Sequence, residues 1–115
     1  MLTVANKQIR ERLRVEGRIQ ARLRHPNIVT VTDILDLGAG NPGLIMDLVE
    51  GPSLDQLLRE HPLTLPQADE LARGICAGVA AAHRAELVHR DLKPANILLQ
   101  VTDQGFVPKV ADFGL

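Results

Sequence analysis

At 115 residues, with 45% apolar and 23% charged positions and a formal net charge of −1, the chain has the make-up of at most one folded domain and not of a disordered segment. That balance gives no reason to expect nucleic acid or an anionic membrane as partner, and without Trp or Tyr there is little to stack on single-stranded bases. No run of about 18 apolar residues marks a membrane span, no charged-then-apolar leader is read, and the single cysteine, Cys76, closes no internal disulfide, which suits a reducing, cytoplasmic setting.

Residues 3–23 are predicted as a helix, because Ile9, Leu13, Glu16, Ile19, Gln20 and Leu23 recur at spacings of three and four on one face. Gly17 weakens it by about 1 kcal/mol relative to Ala. Glu16 falls on the apolar stripe, where a carboxylate needs a partner; an exposed place at the stripe's edge is the simpler alternative. Lys7, Arg10, Arg12, Arg14, Arg18, Arg22 and Arg24 crowd the same stretch and read as a solvated basic face. His25-Pro26-Asn27 ends the helix, since the residue before a proline avoids helical geometry.

Ile28 to Leu37 alternates Val29 and Val31 with Thr30 and Thr32, the pattern of a half-buried strand. Gly38 to Gly43 is turn material, and Leu44 to Val49 is a second strand, predicted to pair antiparallel with the first. Glu50-Gly51-Pro52 breaks the pattern and is the best place for a boundary between residues 1–49 and 50–115. Ser53 with Gln56, and Thr64 with Gln67, have capping-box spacing and start two helices. Leu54, Leu57 and Leu58 give the first its apolar side. Ala68, Leu71, Ala72, Ile75, Cys76, Val79 and Ala82 give the second a long apolar stripe, which assigns Cys76 to the core. His83 falls near that helix's end, where the dipole favours a cation.

The chemistry concentrates in Val88 to Leu99. Asp91 is a carboxylate able to take a hydroxyl proton, Lys93 a cation suited to phosphate, and Asn96 an amide oxygen suited to a hard cation such as Mg²⁺. The apolar run Ile97 to Leu99 reads as a buried strand holding the loop. Asp103-Gln104-Gly105 is a turn joining Ile97–Val101 to Phe106–Val110, a hairpin that returns the chain to Asp112-Phe113-Gly114.

His89-Arg90-Asp91-Leu92-Lys93-Pro94-Ala95-Asn96 followed by Asp112-Phe113-Gly114 resembles the catalytic loop and magnesium loop of protein kinases. Lys93 is similar to the pattern of the serine/threonine branch, and Leu23-Arg24-His25-Pro26-Asn27-Ile28-Val29 looks most like its bacterial members. The resemblance implies a partial kinase fold of the α+β class. Residues 1–49 would be the end of the small lobe, and 50–115 the start of the large lobe.

It also implies roles. Asp91 would be the catalytic base, Lys93 would stabilise charge on the transferred group, and Asn96 and Asp112 would hold Mg²⁺. Arg90, before the catalytic aspartate, would sit where family members often read an activation-loop phosphate. Glu16 resembles the glutamate of the family's αC helix, Met46 the gatekeeper, and Leu98 the apolar residue under adenine. The main chain of Asp47 and Val49 falls where the family holds adenine. ATP and Mg²⁺ are the implied cofactors, and a protein with Ser or Thr the implied substrate.

The 115 residues depart from the family's pattern in what surrounds that loop. They contain no glycine-rich phosphate loop and no strand-three lysine for Glu16, and they stop before an activation segment. Gln20 stands where the family packs an apolar side chain against Phe113. The expectation is therefore a segment of an ATP-dependent serine/threonine kinase, inactive by itself. The alternatives are a non-catalytic kinase-like binding module or decoy, which usually lacks one of the aspartates retained here, and a small-molecule phosphotransferase of the same fold.

Overall fold

The computed structural model describes residues 7–38, 42–89 and 91–111; the side chains of Ile9 and Leu13, Arg90 and the whole of Asp112-Phe113-Gly114 lie outside the described residues. In chain order the elements are α1 (Lys7–Arg22), β1 (Val31–Asp36), β2 (Pro42–Met46), α2 (Leu54–Glu60), α3 (Leu65–Arg84), a 3₁₀ turn over Pro94–Asn96, β3 (Ile97–Thr102) and β4 (Gly105–Val110). β1 pairs antiparallel with β2, and β3 with β4, as two separate two-stranded sheets. This is the α+β arrangement expected.

Both predicted capping boxes form. The Ser53 hydroxyl accepts from the Gln56 N–H, and the Gln56 side chain accepts from the Ser53 N–H. Thr64 and Gln67 make the same reciprocal pair at the start of α3. Each cap satisfies donors that a helix start leaves open, worth about 1 kcal/mol.

The first strand is shorter than its pattern suggests. Ile28 bridges Val110 in a parallel sense, and the Val29 N–H donates to the Val110 carbonyl at 3.0 Å, so this stretch joins β4 before β1 begins. The apolar alternation is continuous across the change because Ile28, Val29 and Val31 are all buried, against different neighbours. The second strand starts earlier than predicted, at Pro42, and stops at Met46.

α3 corrects the reading of Cys76. Its inward face is Leu71, Gly78, Ala81 and Ala82, whereas Ala72 and Cys76 are exposed. A count of apolar side chains overlooks glycine, and here glycine marks the contact face. A Cβ on Gly78 would stand 2.5 Å from the Asn27 carbonyl oxygen, and one on Gly74 would stand 2.6 Å from Pro108. The helix can approach this closely only where it carries no side chain.

The core gathers Ile28, Leu57, Leu71, Ala82, Leu87, Ile97, Leu99 and Val110, with Ile19 and Leu23 of the α1 end packed on it. On β3 and β4, Ile97 opposes Val110 and Leu99 opposes Pro108, all four buried on one face. The turn between the strands is Asp103-Gln104, with Gly105 at φ 116.

The chain from Glu50 to Ser53 runs along β3. Val101 N–H donates to the Glu50 carbonyl and Leu99 N–H to the Pro52 carbonyl, each at 2.9 Å. Gly51 makes this possible, because a Cβ there would lie 1.9 Å from the Leu99 carbonyl oxygen and its φ is 153.

Two outcomes follow. Gly78→Ala, which would strengthen an exposed helix, is expected to destabilise this chain by about 1–3 kcal/mol through overpacking against Asn27, read as a lower denaturant midpoint. In amide exchange, α3, β3 and β4 should be protected well beyond β1 and β2, which form a two-stranded hairpin of marginal intrinsic stability. Uniform protection from residue 7 to residue 111 would contradict that order.

Candidate active site

α3 ends over Arg84 and Ala85, and Glu86 turns the chain with a left-handed φ of 63, a conformation costly for a residue with a side chain. Leu87, fully buried, then anchors the start of the loop, with its N–H donating to the Ala82 carbonyl. From this anchor the chain enters the stretch that carries Asp91, Lys93 and Asn96.

His89 pins that loop at both ring nitrogens. Nδ1 accepts from the Asp91 N–H at 3.1 Å. The proton of the neutral ring therefore sits on Nε2, which donates to the Ala111 carbonyl at 2.6 Å. One side chain so holds the backbone of Asp91 and the residue immediately before Asp112. The sequence reading gave His89 no role. Its signal was only its position, two residues before the aspartate, where a ring nitrogen can reach that residue's N–H.

Asn96 closes the loop a second time. Its Nδ2 donates to the Asp91 carbonyl at 2.8 Å, its N–H to the Lys93 carbonyl at 2.9 Å, and its own carbonyl accepts from Ala111 N–H at 2.9 Å. With Nδ2 committed to Asp91, the amide is oriented and Oδ1 is the atom left for another ligand. An amide oxygen presented in this way fits a hard cation. Among the described residues no group of three His, Cys, Asp or Glu side chains stands together, so a metal here would rest on Asn96 and on Asp112, which lies outside the described residues.

Lys93 Nζ lies 3.0 Å from Asp91 Oδ2. The two side chains are 53% and 62% exposed, so water screens the pair and it contributes at most about 1 kcal/mol. Both groups can thus exchange one another for a ligand at little cost.

The other predicted site residues form a second group. Met46 ends β2 with its side chain 44% exposed, and the Asp47 N–H donates to the Thr30 carbonyl at 2.9 Å. Val49 precedes the stretch stitched to β3. Leu98, half-buried, faces away from the core side of β3, between buried Ile97 and Leu99. It lies two residues beyond Asn96, so one strand joins the loop to the second group, and the Ser53–Leu98 bridge ties the chain after Val49 to it. Glu16 stands apart on α1, half-buried, next to Gly17, which lies against Ile34 and Leu44. Gln20, expected as an oddity on that helix, is 2% exposed and so is a buried polar residue.

The chain as a whole is similar to known proteins. The profile of the protein kinase domain matches residues 2–115. The serine/threonine-protein kinase PkaA of Streptomyces coelicolor is 46% identical over 101 residues, covering 87% of this chain and 18% of PkaA. PknL of Mycobacterium tuberculosis, also a serine/threonine-protein kinase, is 46% identical over 111 residues, covering 96% of this chain and 27% of PknL. The crystal structure of the PknI kinase domain of Mycobacterium tuberculosis superposes with a TM-score of 0.77 at 34% identity, over 96% of this chain and 44% of that one. The chain thus spans 18% and 27% of the two curated relatives' length and 44% of that solved chain, and by sequence and fold it belongs to the protein kinase family.

Proposed function

We propose that these residues are part of a catalytic domain that transfers the γ-phosphate of ATP to a Ser or Thr hydroxyl of a protein. Residues 1–49 would come from its small lobe and 50–115 from its large lobe. The observation that carries the reading is the double closure of the Asp91–Asn96 loop onto Ala111, through His89 and through Asn96. It presents a carboxylate, an ammonium and an amide oxygen from one short, fixed segment. The named kinase relatives and the kinase profile support the same reading.

In this reading Asp91 orients the substrate hydroxyl and takes its proton as the oxygen attacks phosphorus, a contribution of typically about 10²–10⁴-fold. Lys93 leaves its exposed partner and neutralises charge on the transferred group. Asn96 Oδ1, with Asp112, would hold Mg²⁺, which would supply neutralisation of phosphate charge. The main chain of Asp47 and Val49 would receive adenine, beside Met46 and over Leu98. Glu16 would pair with a lysine of a preceding strand. A cytoplasmic location, where ATP is abundant, belongs to the proposal; among the described residues no helix is long and apolar enough to cross a membrane.

The 115 residues alone, which contain no glycine-rich loop and no strand-three lysine, are expected to transfer no measurable phosphate to a generic Ser/Thr substrate such as casein. The product of the complete coding sequence should do so, and Asp91→Ala should lower its rate by at least about 10²-fold. Full activity of that variant would sink the proposal. A second check is spectroscopic. Long-range proton–nitrogen correlation should show the neutral His89 ring protonated at Nε2, and His89→Ala should lower kcat of the complete protein more than it raises KM, because the loop loses its position and not its binding groups.

A further inference from the structure

The segment between β2 and α2 is held at two points. The Asp47 N–H donates to the Thr30 carbonyl at 2.9 Å. Three residues on, the Glu50 N–H donates to Gln100 Oε1 at 3.2 Å, and the Glu50 carbonyl accepts from the Val101 N–H at 2.9 Å. Gln100 and Val101 thus grip Glu50 on both sides of its Cα. The two points of attachment border one void of about 270 Å³, to which Thr30, Asp47 and Gln100 all contribute. Among the described residues the main-chain groups of Leu48 and Val49, which lie between these points, make no hydrogen bond. That stretch has main-chain donors and acceptors to offer a ligand.

Gln100 reaches Glu50 because of its place on β3. Leu98 and Gln100 are two residues apart, so they share the face of the strand that turns away from the core. The Glu50 N–H can only donate, so it takes the amide oxygen, and Nε2 turns to the Val101 carbonyl at 3.4 Å. The Val49–Glu50 peptide is trans, and a planar trans peptide points its carbonyl opposite to its N–H. Holding the Glu50 N–H towards Gln100 therefore directs the Val49 carbonyl away from Gln100 and fixes the plane that joins the two residues.

We infer that Gln100 is a positioning residue for adenine. Through Glu50 it sets the Val49–Glu50 peptide, and so the direction in which the main chain of Val49 meets the base. The inference rests on the ATP-dependent reading above. Gln100 acts through Glu50 and not on the base itself. A peptide plane fixed beforehand loses less freedom when the nucleotide binds than one that still rotates, so the effect falls on affinity and not on the chemical step.

The test uses the product of the complete coding sequence. In the nucleotide-free protein, the amide-exchange protection of Glu50 should exceed that of Leu48 and Val49 by about fivefold or more, a readout that needs no variant. Gln100→Leu keeps the size and removes the oxygen. It should abolish that difference and raise both KM and Kd for ATP about fivefold, with kcat and the KM for the protein substrate within about twofold of the parent. Gln100→Glu keeps an oxygen at the same reach and should restore both Glu50 protection and the parental Kd. Gln104→Leu, the same change at the tip of the same hairpin, should alter neither. Unchanged helical circular dichroism verifies the folding of each variant. A merely structural Gln100 would lower the thermal midpoint and kcat together and leave the Kd for ATP alone. The inference is overturned if Glu50 exchanges as freely as Leu48, if Gln100→Leu binds ATP like the parent, or if Gln100→Glu fails to restore binding. Those results leave ATP-dependent transfer standing, whereas failure of the unaltered protein to bind ATP overturns that reading and this inference together.

Discussion

The Asn27 side chain donates from Nδ2 to the Pro108 carbonyl, and its main-chain carbonyl accepts from the Val110 N–H, each at 2.9 Å. Both bonds form against the bare backbone of α3 at Gly74 and Gly78. The segment that follows α1 is thereby fixed to β4 and to α3 at one point. Everything that positions the loop depends on this junction. β4 ends at Val110, Ala111 follows it, and Ala111 receives the His89 and Asn96 bonds. A shift of α3 against Asn27 would move β4, and with it the backbone to which the loop is fastened. At Gly78 the helix packs on the Asn27 backbone and at Gly74 on the rigid Pro108 ring and the hydrogen-bonded Asn27 amide, so little there can relax and the tolerance is small.

Local chemistry was legible in the sequence where it depends on residue type at fixed spacing. Both capping boxes were readable because Ser53 with Gln56, and Thr64 with Gln67, can satisfy only their own helix starts. The β3–β4 hairpin was readable from its turn residues. The loop was readable because Asp91, Lys93 and Asn96 carry side chains whose chemistry is unlike their surroundings. What escaped was contact made by backbone or by missing side chains. Gly78 reads as a weak spot in a helix and is instead its docking face; Cys76, two residues earlier and so nearly on the opposite face, reads as core and is exposed. Ile28 reads as the first residue of a strand that it does not join, since a buried alternation does not say which neighbour does the burying. His89 reads as one more loop residue, because its ring nitrogens bond to main-chain groups, one of them 22 positions away.

The same distinction orders the site. Groups that would touch a substrate are exposed, and those that hold them are not. Asp91 and Lys93 are more than half open to water, while Leu87, Ile97 and Leu99 around them are at most 2% exposed. The 3₁₀ turn between Lys93 and Ile97 turns the chain from one condition to the other within three residues. Pro94 there needs no hydrogen-bond donor, so nothing is left unsatisfied at the change.

Gly51 bears on how this molecule can bend. Because it lets Glu50 to Ser53 lie flat along β3, that stretch moves as part of the β3–β4 sheet. Val29 is bound to Val110 of the same sheet, whereas Thr30 is bound to Asp47. Among the described residues the main chain reaches the β1–β2 sheet from its base over two short spans, one at residues 29–30 and the other at 48–49, with α1 packed beside them. A line through them is the axis of least resistance for tilting one sheet against the other. A void of about 270 Å³ lies on that axis, bordered by Val29, Thr30, Asp47, Leu48, Val49, Gln100 and Lys109. Torsion about that axis displaces little packed volume.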